Sequence, residues 1–476
     1  MKALRCLFLF VFVISFAANT TAQSRQLQKT DSVYRLIKRH IGTNDANAIY
    51  NLAHIRFKQS ITLGNFRDFL FKELFSLGAI KQDSLETFVN NLTAGYKITF
   101  DNAPMLLTIS LAEDDKLAYF KLEPYKAAPT TRPIPVPTSN PLKSQTDKLI
   151  DLVARRYIQK SNTFGLAIGT LIDGKTNTYF YGETKNGSGK LPNANTIFEL
   201  ASISKTFTAT LLAWYINQGK IQLSDPITEY LPDTVSVNLA LQKVTVLQLS
   251  NHTSGIPGLP NNFTKQINYT DANPYKNYTK QMMFAFLKSC TLRSEPGKSY
   301  AYSNLGVGLL GVILERVSKK TYEQMVTAII CKPLAMKSTM QHLPAPLAAN
   351  FATLYDENGL PTPAWDFDAL AACGSLKSTM TDLLLYAKAN MVNTDSKLSQ
   401  AFELTHQITF DCDAPVALGW HIITVDGVKY IFHNGGTGGS SSFLAFNREK
   451  NIGLVILSNA TASLDATGTG ILKTIQ

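Results

Sequence analysis

The stretch FELASISKTFTATLLAWYINQGK, Phe198 to Lys220, sets a serine and a lysine three residues apart where an amphipathic helix is expected to begin. At that spacing Ser202 and Lys205 share one helix face and fall within its first turn. A serine hydroxyl is a weak nucleophile at neutral pH and needs a base within hydrogen-bond reach to take its proton. A desolvated lysine near other cations loses its own proton close to neutrality. The helix N-terminus adds backbone N–H groups where an oxyanion would form. The same spacing also arises by chance, and Ser202 alone reads equally well as a helix N-cap.

Two further stretches bear on the choice. In KSYAYSNLGVGLLGVILE, Lys298 to Glu315, Tyr302 and Asn304 stand two apart at the mouth of an apolar helix. They offer a phenol for proton transfer and an amide for holding a substrate. In VKYIFHNGGTGGSSSFLAF, Val428 to Phe446, a strand ends in His433-Asn434-Gly435-Gly436 and turns through glycines into the next strand. Glycine lets a substrate approach the backbone, so the N–H of Gly436 can complete an oxyanion hole with that of Ser202. No Gly-Lys-Ser/Thr follows, which excludes a phosphate loop.

Together and in this order, the three stretches resemble the serine β-lactamase and penicillin-binding family, in particular its class C β-lactamase branch. Ser202-x-x-Lys205 and Tyr302-Ser303-Asn304 match two of its signatures. The connecting segments LSDPITEYLP from Leu223, LQLSNHTSGIP from Leu247, KPLAMKSTM from Lys332 and ACGSLKSTMTDL from Ala372 look like the family's as well. The resemblance implies that Ser202 is acylated, that Lys205 and Tyr302 share the proton transfers, and that Asn304 positions substrate. It leaves open which of Lys205 and Tyr302 is the base, and it makes His252 structural. One position departs. Class C lactamases begin the third motif with a lysine that meets the β-lactam carboxylate, whereas this chain has His433, as in the family's D-alanyl-D-alanine carboxypeptidases, D-aminopeptidases and esterase relatives. His433, Asn434, Gly435 and Gly436 are thus expected to line the substrate.

The rest of the chain sets the frame. MKALRCLFLFVFVISFAANTTAQ has a basic start, a short apolar run and small residues ending at Ala22, the pattern of a secretory signal over 1–22. No later segment is apolar enough to span a membrane, so a periplasmic or extracellular protein is expected. Residues 24–124 show helical periodicity through Ala48, Leu52, Phe66 and Leu70, with a stop at Gly78. Strand-like runs follow at Tyr96–Phe100, Met105–Leu111 and near Leu117, giving a small α+β domain that resembles nuclear-transport-factor-like modules. The Pro/Thr-rich segment 125–145 reads as a linker. From 146 to 476, strands at both ends of the region flank a helical middle. Hairpin signals sit at Asp173-Gly174 and Asp426-Gly427. The expected fold is one antiparallel sheet flanked by helices, with a helical subdomain.

After signal removal Cys290, Cys331, Cys373 and Cys412 remain, enough for two disulfides or four free thiols. The formal charge of +11 is scattered rather than gathered, which argues against nucleic-acid binding. No G-x-S-x-G elbow, H-E-x-x-H or Cys/His metal spacing occurs, and no cofactor is implied. The expectation is a secreted serine hydrolase acting on a D-amino-acid peptide, β-lactam or carboxylic ester. The alternative is a non-catalytic envelope protein that binds peptidoglycan fragments or penicillin.

Overall fold

The computed structural model describes residues 25–89, 93–125, 135–412 and 414–476. The expected signal segment 1–22 and residues 126–134 of the Pro/Thr-rich segment lie outside them. Among the described residues no helix is long and apolar enough to cross a membrane. The chain divides into two compact units, Met1–Ala128 and Pro129–Gln476.

In the first unit, helices at 25–42, Ala46–Asn51, Ile55–Ser60 and Leu63–Phe69 precede a four-stranded antiparallel meander. Its strands are Ile80–Val89, Thr93–Phe100, Pro104–Leu111 and Leu117–Pro124. Ile37, Ile49, Phe66, Leu70, Ile98, Leu107 and Ile109 form the buried core. Gly78 ends the helical part with φ 87°, a conformation that favours glycine. The first strand escapes a sequence reading because it is an edge, rich in polar residues and largely exposed, with no alternation to mark it.

The second unit is built on one six-stranded antiparallel sheet. Its strands run in spatial order His421–Val425, Val428–Gly436, Ser441–Asn447, Ile452–Ser458, Gly165–Ile172, Lys175–Gly182. Asp173 and Gly174 (φ 49° and 76°), like Asp426 and Gly427 (φ 45° and 83°), make the two-residue hairpin turns the sequence announces. The strands alternate cleanly. Leu166, Ile168, Phe443, Ala445, Leu454 and Ile456 face helices Gln145–Ile158 and Asp465–Ile475. Ala167, Leu444, Phe446, Val455 and Leu457 face the larger core that includes helices Met380–Met391, Ser204–Ile216 and Asn304–Ser318. Among the described residues the four cysteines are free thiols, three of them buried.

The helix Ser204–Ile216 is not amphipathic, contrary to the sequence expectation. Every residue from Ser204 to Ala213 is buried. Its threonines make this possible because their hydroxyls are satisfied inside the protein. Thr206 donates to Ile203 O (2.8 Å), Thr210 to Thr206 O (2.9 Å) and Thr208 to Ala372 O (2.7 Å).

Candidate active site

Ser202 sits in a single 3-10 turn, Ala201–Ile203, and Lys205 in the first turn of the α-helix that follows. Ala201 takes a left-handed φ of 48°, which costs an alanine about 1–2 kcal/mol. Strain at the residue before a reactive side chain is a recurrent device for aiming it. The turn is held from outside. Ser442 Oγ donates to Leu200 O (2.7 Å), and Ser440 Oγ to Glu199 O (3.1 Å).

Tyr302 and Asn304 enter from a second element anchored by the residue between them. Ser303 caps helix Asn304–Ser318 by accepting from Gly306 N–H (2.8 Å), and its hydroxyl donates to Pro257 O (2.8 Å). Its own N–H donates to His252 Nδ1 (3.1 Å), while His252 O accepts from Ala301 N–H (2.8 Å). The buried His252, itself at φ 62°, thus splints the segment and lays its ring 4.5 Å from that of Tyr302.

These elements converge on one network. Lys205 Nζ lies 2.9 Å from Ser202 Oγ, 2.8 Å from Asn304 Oδ1 and 2.6 Å from Cys373 O. Tyr302 Oη lies 2.8 Å from Ser202 Oγ. Lys205 is 1% exposed and Tyr302 38%, so the amine is locked inside while the phenol reaches open space. Two proton arrangements satisfy every atom. In one, a neutral amine donates to Asn304 and Cys373 and accepts from the serine, whose oxygen accepts from the phenol. In the other, an ammonium donates three times and the serine donates to a phenolate. They differ only in which of Lys205 and Tyr302 holds one proton.

The strand Val428–Gly436 pairs with its outer neighbour only as far as Phe432, opposite His421, and its last residues run against the serine turn. A β-carbon on Gly435 would lie 2.4 Å from Leu200 O and 2.8 Å from Ser202 N, so only glycine permits this approach. Gly436 faces open space and lines two cavities that meet at Ser202. One, about 180 Å³, is walled by Tyr275, Trp365, Phe367 and Asn304, whose Nδ2 donates to Tyr275 Oη (3.0 Å). The other, about 310 Å³, is lined by Tyr302, Asn434, Gly435, Ser441 and Asp465.

His433 is placed differently from its three neighbours. Its ring is buried, lines neither cavity, and Nδ1 donates to Asn434 O (2.6 Å). Burial holds its pKa well below the usual histidine range, with His421 and Lys205 adding to the effect. His252 is depressed likewise, and His421 falls to about 4, in each case first by burial and then by Lys205. All three are therefore neutral at pH 7.

Several lining residues carry no motif. Tyr275, Trp365 and Phe367 read as ordinary aromatics, and Asp465 reads as a helix first-turn acid. Glu199 is buried behind the serine, where it accepts from Trp365 N–H (2.7 Å) and Thr437 Oγ1 (2.6 Å). Burial raises its carboxyl above the usual range, and the Lys377 ammonium works against this.

The chain and its fold are similar to known proteins. A beta-lactamase of Lysobacter lactamgenus is 27% identical over 360 residues, 68% of this chain and 90% of that one. The D-alanyl-D-alanine-carboxypeptidase/endopeptidase AmpH of Escherichia coli K12 is 28% identical over 331 residues, 65% and 83% of the two chains. The crystal structure of a beta-lactamase/D-alanine carboxypeptidase from Pseudomonas syringae superposes with TM-score 0.62 at 26% identity, covering 70% of this chain and 98% of that one. A class C beta-lactamase variant gives TM-score 0.62 at 25% identity, covering 71% and 99%. The family model described as Beta-lactamase matches residues 150–472, and the chain belongs to that family of serine hydrolases.

Proposed function

We propose that this protein is an exported hydrolase that works through an acyl-enzyme on Ser202, cleaving a D-amino-acid peptide, a β-lactam or a carboxylic ester. The observation that carries the reading is the position of Ser202 Oγ, within 2.9 Å of Lys205 Nζ and 2.8 Å of Tyr302 Oη at the junction of two cavities. The serine oxygen attacks the substrate carbonyl while its proton passes to Lys205 or Tyr302. The oxyanion is received by the N–H groups of Ser202 and Gly436. As the tetrahedral intermediate collapses, the bond to the leaving group breaks and Tyr302, at the open side of the network, supplies the proton that group needs. Water then attacks the ester on Ser202, and the same relay runs in reverse.

The leaving group therefore occupies the cavity that Tyr302 lines, and the acyl side chain the aromatic cavity of Tyr275, Trp365 and Phe367. The neutral, buried His433 leaves the family's third-motif cation unreplaced, which favours peptides or esters over β-lactams as the substrates turned over. Export rests on the N-terminal signal pattern of residues 1–22.

Intact-mass measurement after adding a penicillin or a neutral activated thioester, with Ser202→Ala alongside, tests the reading. A transient or lasting adduct on the native protein alone supports it. Binding of penicillin without adduct or turnover marks a non-catalytic envelope protein, and turnover surviving in Ser202→Ala refutes the nucleophile.

A further inference from the structure

Resting on that reading, we infer that Asp465 makes the leaving-group cavity select against anions, so that the enzyme turns over substrates whose leaving group is neutral or carries an ammonium and rejects those ending in a free carboxylate. The cavity beside Ser202 and Tyr302 holds about 310 Å³, and Asp465 is the carboxylate among its lining residues, which include no lysine, arginine or histidine. The lining of the aromatic cavity across the serine likewise includes no lysine, arginine or histidine. The His433 ring, which ends the same strand, is buried away from both and neutral.

Several of the donors that a substrate carboxylate would seek are already engaged, the Ser441 and Thr461 hydroxyls of the same cavity apart. Asn434 Nδ2 donates to Asp465 Oδ1 (2.7 Å), and Ser463 Oγ donates to Asp465 Oδ2 (3.0 Å). Ser442 Oγ donates away from the cavity, to Leu200 O. An incoming carboxylate thus meets the negative charge of the exposed Asp465 and an Asn434 amide already turned to it, while an ammonium meets an acceptor. Asp465 also begins helix Asp465–Ile475, where an acid favours the helix dipole. That accounts for an acid at the position but not for the turn of the Asn434 amide toward it. The chain's scattered +11 charge acts over longer distances and is screened within about 8–10 Å in physiological salt, so the local carboxylate governs the choice.

The test uses three thioesters sharing one phenylacetylglycyl acyl group, released with 3-mercaptopropionate, 3-mercaptopropionamide or thiocholine as the leaving thiol. Thiol release gives kcat/KM for each with the full-length protein and with Asp465→Asn. The ratio between substrates does not depend on how much of a variant is folded. The native protein is expected to prefer the cationic over the anionic leaving group by about three- to tenfold at physiological ionic strength, with the amide between them. Asp465→Asn is expected to bring the ratio down to that of the spontaneous hydrolysis of the same thioesters. Equal or better turnover of the carboxylate by the native protein, or a ratio unchanged in Asp465→Asn, overturns the inference while the acyl-enzyme reading stands. Failure of the neutral thioester to acylate Ser202 overturns the reading, and the inference with it.

Discussion

Lys205 Nζ stands 2.9 Å from Ser202 Oγ and commits its other two hydrogen-bonding positions to Asn304 Oδ1 and Cys373 O. The amine is therefore a buried structural tie, and in the proposed mechanism a proton carrier as well. Lys205→Met is expected to slow acylation by about 10²–10⁴-fold. It should also lower stability by about 1–3 kcal/mol for each acceptor left without a donor. Lys205→Arg should not rescue acylation, because a guanidinium keeps its proton and does not fit the same three acceptors. Stopped-flow acylation and thermal unfolding, measured on the same samples, separate the two effects.

Tyr302 lies on the open side of the network, so its removal should be felt most where the leaving group needs a proton. Tyr302→Phe is expected to slow cleavage of an amide by about 10²–10⁴-fold, and that of an aryl ester, which leaves as a stable phenolate, by far less. Equal losses on both substrates would assign Tyr302 to deprotonating Ser202 rather than to protonating the departing group.

Gly435 and Gly436 are adjacent in sequence and opposite in consequence. A β-carbon on Gly435 meets Leu200 O at 2.4 Å and Ser442 Oγ at 2.5 Å, so Gly435→Ala should push the strand off the serine turn. The expected cost is about 1–3 kcal/mol, with acylation nearly abolished. On Gly436 the nearest atom is Ser440 O at 4.0 Å, and Gly436→Ala should leave the melting temperature within error of the native value. Calorimetry of the two variants checks the contrast.

Three neutral histidines, His252, His421 and His433, predict sensitivity to acid. Each has a folded pKa below its unfolded value near 6.5, with His421 at about 4, so the unfolded chain binds more protons below pH 6.5. Their contribution is intact above pH 6.5 and is lost as pH falls toward the folded values. By pH 5 the loss is about 2 kcal/mol for each histidine. The melting temperature should fall steadily from pH 6.5 to 5, and His421→Gln should flatten that slope by about one quarter, because His406, lowered to about 3 by burial, contributes alongside these three.

The parts of the molecule that were legible in sequence share a local origin. Asp173-Gly174 and Asp426-Gly427 announce their hairpins because a two-residue turn needs left-handed backbone there. Ser202 and Lys205 meet because helical spacing brings them together. What stayed hidden was assembled across the chain. Asp465 reaches Asn434 from the terminal helix, and Tyr275 and Trp365 come from loops with no motif. Burial of the Ser204–Ile216 helix on every side was hidden too, since threonine reads as polar until its hydroxyl finds a carbonyl. The inward turn of His433 likewise depends on the neighbours around it rather than on its own residue type.

The sheet that carries the chemistry joins its first strand to its last, so that Gly165 O accepts from Ser458 Oγ across 293 positions of chain. During synthesis Ser202, Lys205 and Tyr302 emerge long before the strand that closes the sheet, whereas the first unit's four neighbouring strands pair in the order in which they are made. Such distant pairing folds slowly and leaves unpaired strand edges waiting. On the proposed mechanism the nascent chain thus holds Ser202 without Gly436 and the closing strand Ile452–Ser458 beside it, and hydrolysis at Ser202 cannot precede their synthesis.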